Sequence, residues 1–444
     1  MSRRTLLLAA AGAAAVPTWA ACAPARRPNE IVVWVKSGSS DMMESLGILA
    51  ETYQQRNPGK LVRLVTVQSR GDDDATLLIT AIRGNTAPDV FLGDRFTFAQ
   101  FGSRGLLQDL SPLLAGEDAD LLGGFLPFTV NEAAYNGAVY GIPFDTDSRG
   151  LYFNKGLLRD SGVDPAVLDP ARGAPTFDQV WEIADKVSRT DAAGSYTHLG
   201  FIPWEEQAWP FTWCLANDAV IFDEASCRIA VDDPGFRQVY ADYRDWARRL
   251  DYPKVDAFVA TYKPPNAPPS QSPFFNDRLA TSVVFSNFIF NLKKYAPKLD
   301  WGVTYLPVRA DGDEPYSWSG GSGFTIPTGA ANVEDAWEFI KFMTSPQGQA
   351  VWVQRQNYLP TRTAMLSDES LIADQRFFAD LLIGGYGHSR PPLPVGPALW
   401  EAMNTAREGV LLGQSGPDEA MAEIARRVQP ELDQYCPVSP GLGR

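Results

Sequence analysis

The sequence predicts an α/β protein with two lobes, and three observations support this prediction. The chain has 444 residues, which is more than one ordinary hydrophobic core accommodates. Strand-like apolar runs alternate with helix-like segments, an order typical of a sheet covered by helices on both faces. Residues 136–158 contain two apolar runs joined by a short polar pivot, as expected where a chain crosses between lobes. We therefore expect a ligand cleft between the lobes.

The first third of the folded region supplies strands and helices in alternation. Apolar runs at residues 31–35, 61–67 and 88–92 predict strands, and Leu and Ile spacing over residues 74–82 predicts a helix. The third strand is followed by Gly93, Asp94 and Arg95. Because ligands of such sheets bind beyond the carboxyl ends of strands, Asp94 and Arg95 are candidate ligand-binding residues. The alternative for Asp94 is a salt bridge to Arg95.

The rest of the chain repeats these patterns. Thr176 and Gln179 form a capping-box pattern before an apolar helical face, and Ser345 before Pro346 predicts another helix start. Residues 282–285 predict a buried strand that ends at Ser286 and Asn287. Their hydroxyl and amide groups are either ligand contacts or a plain helix cap.

Composition limits the class of function. Hydrophobic residues make up 45% and charged residues 21%, as in a folded globular protein. The formal net charge of −14 argues against a nucleic-acid partner, because phosphate binding needs clustered Lys and Arg. The sequence has two His, and it contains no hydrolase, metalloprotease or Walker motif and no Cys/His metal spacing. We expect no cofactor, no metal and no enzymatic activity.

The N-terminus predicts export. Arg3 and Arg4 precede an apolar run at residues 6–16 that is too short to span a bilayer, which is typical of a signal peptide over residues 1–22. The paired arginines resemble a twin-arginine export signal. Residues 20–22 (Ala-Ala-Cys) resemble a lipobox with Cys22 as the lipidated residue; the alternative is an ordinary cleavage site beside an incidental Cys. Residues 23–30 are expected to be a tether.

Three further cysteines leave the disulfide pairing open. In an exported chain Cys214 and Cys227 could close a short loop. Cys436 is then either unpaired or the partner of one of them.

Five segments resemble, in order, the motifs of a known family. They are residues 87–95 (APDVFLGDR), 136–158 (NGAVYGIPFDTDSRGLYFNKGLL), 174–187 (APTFDQVWEIADKV), 274–287 (FFNDRLATSVVFSN) and 317–362, which runs from a Gly-rich strand through a TSPxxQ turn to Leu-Pro-Thr-Arg. The chain is thereby similar to family 1 extracellular solute-binding proteins, the substrate receptors of ABC sugar importers.

The resemblance implies a type II periplasmic-binding-protein-like fold with a hinge and an interlobe cleft. Lobe 1 is expected at residues 31–147 and 305–360, and lobe 2 at residues 148–304 and 361–436. A second crossing is expected near residues 301–306. The implied function is to capture a carbohydrate by closure of the lobes and to deliver it to the permease subunits of an ABC importer. We expect a monomer anchored to the outer face of the cytoplasmic membrane.

Sugars present hydroxyl edges and apolar C–H faces, so carboxylates and flat aromatic rings are the expected contacts. Residues 200–218 combine Trp204, Trp209 and Trp213 with Glu205 and Glu206. Of these, Glu205, Trp209 and Trp213 are the candidate ligand-binding residues. The alternative for each Trp is core packing, the commoner fate of an aromatic side chain.

The remaining candidates lie at the crossing, in a Gly-containing segment at residues 318–321 and near the C-terminus. They are Asp145, Asp147, Trp318, Ser319, Gly320, Gly321 and Arg390. The alternatives are turn capping for the carboxylates, a bulge or turn for residues 318–321, and a solvated loop charge for Arg390.

The sequence leaves the charge of the ligand open. Converging carboxylates favour a neutral or amino sugar, whereas dominance of Arg95 and Arg390 favours a glycerophospho-compound. The rival classes are an exported glycoside hydrolase, which also uses paired carboxylates, and a structural surface lipoprotein.

Overall fold

The computed structural model describes residues 26–36, 38–67 and 75–442. The expected signal peptide and the lipidation residue Cys22 lie outside the described residues, as does the N-terminal part of the tether. Within the described part of the chain, no helix is long and apolar enough to span a membrane.

Eighteen strands form in the described residues, many of them only two residues long. They are β1 (Glu30–Lys36), β2 (Leu61–Val67), β3 (Val90–Asp94), β4 (Ala134–Tyr135), β5 (Ala138–Val139), β6 (Ile142–Pro143), β7 (Asp145–Thr146), β8 (Arg149–Asn154), β9 (Arg189–Thr190), β10 (Tyr196–His198), β11 (Phe222–Asp223), β12 (Arg228–Ile229), β13 (Thr281–Phe285), β14 (Trp301–Thr304), β15 (Ser317–Trp318), β16 (Ser322–Thr325), β17 (Leu359–Pro360) and β18 (Gly387–His388).

The α-helices surround these strands. They are α1 (Ser40–Arg56), α2 (Ala75–Arg83), α3 (Phe98–Ser103), α4 (Pro127–Glu132), α5 (Lys155–Asp160), α6 (Phe177–Val187), α7 (Pro210–Ala216), α8 (Pro234–Leu250), α9 (Tyr252–Tyr262), α10 (Phe288–Tyr295), α11 (Val333–Met343), α12 (Pro346–Gln356), α13 (Glu369–Ile372), α14 (Arg376–Ile383), α15 (Gly396–Leu411) and α16 (Pro417–Leu432).

The first lobe is built on a five-stranded sheet in the order β2-β1-β3-β16-β6. Its first three strands are parallel, and β16 runs antiparallel to β3 and β6. The apolar runs of β1 and β3 are buried, as expected for strands covered on both faces. Helices α1, α11 and α12 pack together over this sheet, where the rings of Tyr53 and Phe339 meet edge to face at 5.1 Å.

The second lobe is built on a smaller antiparallel sheet in the order β13-β8-β14. Its central strand β8 is buried along its whole length. Tyr152 in this strand packs against Phe288, Trp301 and Phe378, with ring centroids 5.1, 5.8 and 6.0 Å away. Helices α8, α15 and α16 pack against one another in a helical layer of this lobe.

Three short segments of the chain, called the crossings, run between the two sheets. The first runs from β6 through β7 into β8, the second from β15 into β16, and the third passes through β17, which pairs with β7. This two-lobe arrangement agrees with the type II fold expected from the sequence. The return crossing lies at residues 317–322, and the expectation of a crossing near residues 301–306 was wrong, because β14 pairs with β8 inside the smaller sheet. The exact lobe boundaries stay a prediction.

Local sequence signals explain how several helices begin. Thr176 and Gln179 form the reciprocal capping box expected from the sequence, with N···O distances of 3.2 and 2.9 Å. Ser345 caps α12, whose first residue is Pro346. Asn332 stands at the start of α11, but its side chain makes no capping bond there.

The disulfide joins Cys227 to Cys436, with their Cα atoms 6.0 Å apart. The suggested Cys214–Cys227 pair was therefore wrong. Cys214 lies on the buried face of α7, where its thiol is free and burial raises its pKa. Cys227 instead lies at the β11–β12 hairpin, next to the chain that leaves α16, so the bond ties the C-terminal segment to the second lobe.

Candidate functional site

The ends of both sheets meet at the crossing segments. In the larger sheet Asp94 pairs with Ser322, and in the smaller sheet Arg149 pairs with Phe285. A cavity of about 220 Å³ opens at this place on the side of the larger sheet. Its lining comprises Val35, Lys36, Met42, Leu92, Gly93, Asp94, Asp145, Asp147, Gly321, Ser322 and Tyr358. The cleft therefore lies where the carboxyl ends of β1 and β3 face the crossings.

Asp94 forms an ion pair with Arg390, and 41% of the Asp94 side chain is exposed. The two carboxylate oxygens lie 2.7 and 3.3 Å from the guanidinium nitrogens Nη2 and Nη1. Burial alone would raise the pKa of Asp94, but the charge and hydrogen bonds of Arg390 and the bond from Phe96 N outweigh it, so the pKa is lowered. Asp94 and Arg390, which lie far apart in sequence, are thus brought together at the cleft.

Glu132, at the end of α4, connects Arg390 to Arg95. Its Oε1 accepts from Nε of Arg390 at 3.1 Å, and its Oε2 accepts from Nε of Arg95 at 3.2 Å. The Glu132 side chain is fully buried, and this burial raises its pKa against the two positive charges. One carboxylate therefore holds two arginines.

Arg95 has a structural position that the sequence did not predict. Its side chain has no exposed surface. The guanidinium donates to the carbonyl oxygens of Asp145, Gly320 and Ser322 at 2.5, 3.0 and 3.1 Å. The expectation that Arg95 contacts a ligand was wrong, because its donors hold the first two crossing segments together.

Asp145 is likewise enclosed by protein partners. It accepts from the backbone N–H and hydroxyl of Ser322 and from Nε1 of Trp352, at 2.7 to 2.8 Å. Burial raises the pKa of this carboxyl, while the bonds from Ser322 and the charge of Arg95 lower it in part. Asp145 borders the cavity, but its carboxylate oxygens already accept the hydrogen bonds that join the second crossing to the first.

Asp147 is paired with Arg149 two residues later, on the same face of the chain. Asp147 also accepts from the backbone N–H of Gly320 at 2.7 Å. The guanidinium of Arg149 lies 3.4 Å from the centre of the Trp318 ring and donates to Oε1 of Gln207 at 3.1 and 3.3 Å. Burial lowers the pKa of Arg149, and Asp147 opposes that shift.

The two glycines of the second crossing differ in their surroundings. Gly321 has a φ of +142°, and a Cβ there would lie 2.2 Å from the carbonyl oxygen of Asp145. The glycine thus permits close approach of the first crossing, whereas the sequence suggested approach of a ligand. Gly320 binds Arg95 and Thr146 through its carbonyl oxygen.

Three buried side-chain oxygens near the crossings have no protein partner: Ser286 Oγ, Asn287 Oδ1 and Ser319 Oγ. Ser286 follows β13 and is held beside the crossing by a 2.8 Å bond from its N–H to the carbonyl oxygen of Ser148. Asn287 precedes α10, but its side chain makes no capping bond. Because buried polar atoms are almost always paired, these three oxygens are candidates for ligand contacts.

A group of aromatic rings lies next to Arg390, whose guanidinium is 5.6 Å from the ring of Trp318 and 5.9 Å from that of Trp400. Trp209 and Trp400 are partly exposed, and their ring centroids lie 5.8 Å apart. Trp400 also lies 5.7 Å from Trp318 and 6.2 Å from Phe96, a residue of the first lobe. Trp318 is buried, and its Nε1 donates to Thr212 at 2.9 Å. It is therefore the buried member of this aromatic group, and its polar atom already has a partner.

Trp213 belongs to the core of the second lobe, and the expectation that it lines the cleft was wrong. It has no exposed surface, its Nε1 donates to the carbonyl oxygen of Pro203 at 2.8 Å, and its ring packs on Phe177 and Trp246. Trp204 is also buried, against Tyr252.

Glu205 and Glu206 are engaged by Lys263 from the Pro-rich loop after α9. The Lys263 Nζ lies 2.6 Å from Glu206 and 4.0 Å from Glu205. Burial raises the pKa of Glu205, and Lys263 opposes that shift. The structure thus pairs Glu205 with Lys263, and among the described residues no hydrogen bond or ion pair joins its side chain to the crossing segments.

Sequence reasoning missed Glu132, Arg149, Gln207 and Trp400. The spacing of Asp147 and Arg149 carried a usable signal, because residues i and i+2 of an extended chain share a face. The other three reach the site only through contacts between distant parts of the chain. In the described residues no group of three or more His, Cys, Asp or Glu could hold a metal ion.

Proteins of known ligand are similar to this chain in sequence and in structure. The chain is 23% identical over 420 residues to the maltotriose-binding protein of Pyrococcus abyssi, covering 91% of this chain and 82% of that protein. It is 25% identical over 420 residues to the sn-glycerol-3-phosphate-binding periplasmic protein of Salmonella paratyphi A, covering 88% and 90%. The structure of CpMnBP1 with mannobiose bound superimposes with a TM-score of 0.75 at 21% identity, covering 90% of this chain and 99% of that one.

A model of one protein family matches a longer part of the chain than any single motif does. Residues 49–379, which are more than half of the sequence, match the model of the bacterial extracellular solute-binding proteins. This range includes both sheets from β2 onward, the three crossings and most of the charged residues at the cleft. The chain therefore belongs to the family of bacterial extracellular solute-binding proteins.

Proposed function

We propose that this protein captures a neutral carbohydrate in the interlobe cleft and delivers it to the permease of an ABC importer. The observation that carries this proposal is the set of unpartnered oxygens of Ser286, Asn287 and Ser319. A hydroxyl-rich ligand supplies the hydrogen bonds that these buried groups lack. The rings of Trp209 and Trp400 are partly exposed and supply apolar surface for the C–H faces of a sugar. The guanidinium of Arg407 lies 5.0 Å from the centre of the Trp209 ring, so a sugar would use the remaining exposed part of that ring.

Charge compensation supports an uncharged ligand. Arg149 is paired with Asp147, and Arg390 is paired with Asp94 and Glu132. A phosphate group would have to displace one of these carboxylates before it could bind a guanidinium. Among the relatives, a maltotriose-binding protein supports the same class of ligand.

A glycerophospho-compound is the second candidate. Two arginines lie near the cleft, Lys36 lines the same cavity, and one relative is an sn-glycerol-3-phosphate-binding protein. A carbohydrate remains the better proposal, because both arginines already hold carboxylates.

Capture is proposed to occur by closure of the two lobes. A ligand that bonds to both lobes stabilises the closed state by its extra contacts there, and the transporter reads that difference. We further propose that the protein is a monomer without catalytic activity, exported and held to the outer face of the cytoplasmic membrane by a lipid on Cys22. The N-terminal sequence supports this location, and the family supports the role of a receptor.

A thermal-shift screen of the soluble domain, from Ala23 onward, tests the proposal. The panel contains maltooligosaccharides, manno-oligosaccharides, glucosamine oligomers, sn-glycerol 3-phosphate and glycerophosphocholine. Mass action predicts that a neutral oligosaccharide raises Tm in proportion to the logarithm of its concentration, while the phosphorylated compounds have no effect. Tighter binding of a phosphorylated compound would favour the second candidate, and release of reducing sugar from any oligosaccharide would make the protein an enzyme.

A further inference from the structure

Four charged side chains form a continuous chain of contacts from the crossing segments to the cleft. Arg95 holds the carbonyl oxygens of Asp145, Gly320 and Ser322. Glu132 bonds to Arg95 through one oxygen and to Arg390 through the other. Arg390 bonds in turn to Asp94, which borders the cavity. This series of contacts therefore ends at the partly exposed carboxylate of Asp94 on one side and at the backbone of two crossings on the other.

The surroundings of Arg390 restrict its movement. Only 9% of its side chain is exposed, and its guanidinium lies 4.2 Å from the ring of Phe96, 5.6 Å from Trp318 and 5.9 Å from Trp400. Phe96 belongs to the first lobe, and Trp400 lies on α15 beside helices of the second lobe. A guanidinium held between rings and carboxylates has few alternative positions. Its orientation is therefore set by two carboxylates, Asp94 at Nη1 and Nη2 and Glu132 at Nε.

We propose that Glu132 is a positioning residue that couples the cleft to the hinge. When a ligand changes the bonding of Asp94, the confined guanidinium of Arg390 has no other position to adopt, so the change in its hydrogen bonds reaches Glu132 and, through Glu132, Arg95 and the crossing segments. Glu132 itself does not touch the ligand. The part of this inference that concerns ligand affinity rests on the carbohydrate function proposed above.

The substitution Glu132→Gln breaks the coupling with little change in shape. A carboxylate offers two acceptor oxygens, whereas an amide offers one acceptor and one donor group. The amide can therefore accept from Arg95 or from Arg390, but its NH₂ group then faces the Nε–H of the other arginine. One of the two contacts is lost in either orientation.

The test is a double-mutant cycle read by amide hydrogen exchange in the unliganded protein. The reporters are peptides that cover residues 142–149 and 317–325, whose amides include the bonded N–H groups of Phe144, Gly320 and Ser322. In the wild-type background Asp94→Asn is expected to raise exchange at these amides by about tenfold. In the Glu132→Gln background the same substitution is expected to have no further effect.

Ligand affinity supplies the second readout. Glu132→Gln is expected to weaken binding of the sugar found in the screen by about tenfold, although Glu132 lies outside the ligand contacts. The matched control is Asp242→Asn. This variant replaces another buried carboxylate, which pairs with Arg309 in the second lobe, by an amide. It should lower the free energy of unfolding without changing sugar affinity or amide exchange at the crossings.

Each outcome decides the inference. If Asp94→Asn changes exchange by the same factor in both backgrounds, or if Glu132→Gln binds the sugar as tightly as wild type, Glu132 is not a coupling residue. If Glu132→Gln does not fold, the cycle is run with Arg390→Lys, because one ammonium group cannot reproduce the forked link between Asp94 and Glu132. If the wild type binds no sugar of the panel, the proposed function fails, while the exchange cycle still decides the coupling.

Discussion

Two groups of residues at and beside the crossing segments differ in how their polar atoms are bonded. The charged group consists of Asp94, Arg95, Glu132, Asp145, Asp147, Arg149 and Arg390, and every member holds protein partners. The neutral group consists of Trp209, Ser286, Asn287 and Ser319, in which three oxygens are unpartnered and the indole ring is partly exposed. The difference indicates that the charged side chains hold the segments around the cleft together, while the neutral side chains keep polar atoms available for a ligand. Changes in the charged group should therefore lower stability, and Glu132→Gln should also lower affinity through the coupling proposed above, whereas changes in the neutral group should lower affinity and spare stability.

Arg95→Met is expected to have the largest effect. It removes one donor from Glu132 and one from each of three backbone carbonyl oxygens of the crossings. Removing one partner of a buried ion pair should lower the free energy of unfolding by about 4 kcal/mol. Urea denaturation followed by circular dichroism measures this loss, and a loss below about 1 kcal/mol would remove Arg95 from the role of a structural clamp.

Asp147→Ala is expected to lower the free energy of unfolding by about 3 kcal/mol. The substitution removes the carboxylate partner of buried Arg149 and the acceptor for the N–H of Gly320. The sequence alone suggested a ligand contact whose loss leaves the unliganded fold intact. Unchanged stability in urea, combined with weaker sugar binding, would restore that first interpretation and break the division between the two groups.

Trp209→Ala tests the neutral group through its aromatic member. Loss of a stacking surface should weaken sugar binding by about 2 kcal/mol, or roughly 30-fold, as measured by titration calorimetry. The control is Trp213→Phe, four residues later in the chain, which alters a fully buried ring. That variant should lose stability and keep its affinity. The reverse pattern in this pair would show that Trp209 serves packing alone.

The sequence predicted the parts of the fold that depend on local patterns. The strands of the larger sheet, the capping box at Thr176 and the start of α12 follow from apolar spacing and from N–H groups that need local acceptors. The order of five motifs predicted the two-lobe architecture, because they match a family whose fold is shared.

The site was harder to predict, because bonding between distant segments decides which polar residues remain available. Asp145 and Arg95 stand at strand ends, as ligand-binding residues do, yet Ser322, Trp352 and Glu132 occupy their bonding atoms. The Trp residues at positions 209 and 213 are indistinguishable by local pattern, and only the packing of α7 separates them. Cys227 similarly finds Cys436 at a sequence separation of 209 residues.

The two ends of β13 provide the most direct test that unpartnered oxygens are the ligand contacts. At one end Thr281 Oγ1 donates to the carbonyl oxygen of Gly200 at 2.8 Å, and beyond the other end Ser286 Oγ has no partner. Both residues are buried, so Thr281→Val and Ser286→Ala each remove one buried hydroxyl from the same strand region. Each variant is compared with wild type for unfolding in urea and for sugar binding by calorimetry.

Ser286→Ala should weaken sugar binding by about fivefold while keeping or raising the free energy of unfolding by about 1 kcal/mol, because an unsatisfied buried hydroxyl is removed. Thr281→Val should lose about 1 kcal/mol of stability and keep its affinity. Unchanged affinity in Ser286→Ala together with a loss of stability would contradict the assignment of the neutral group to the ligand.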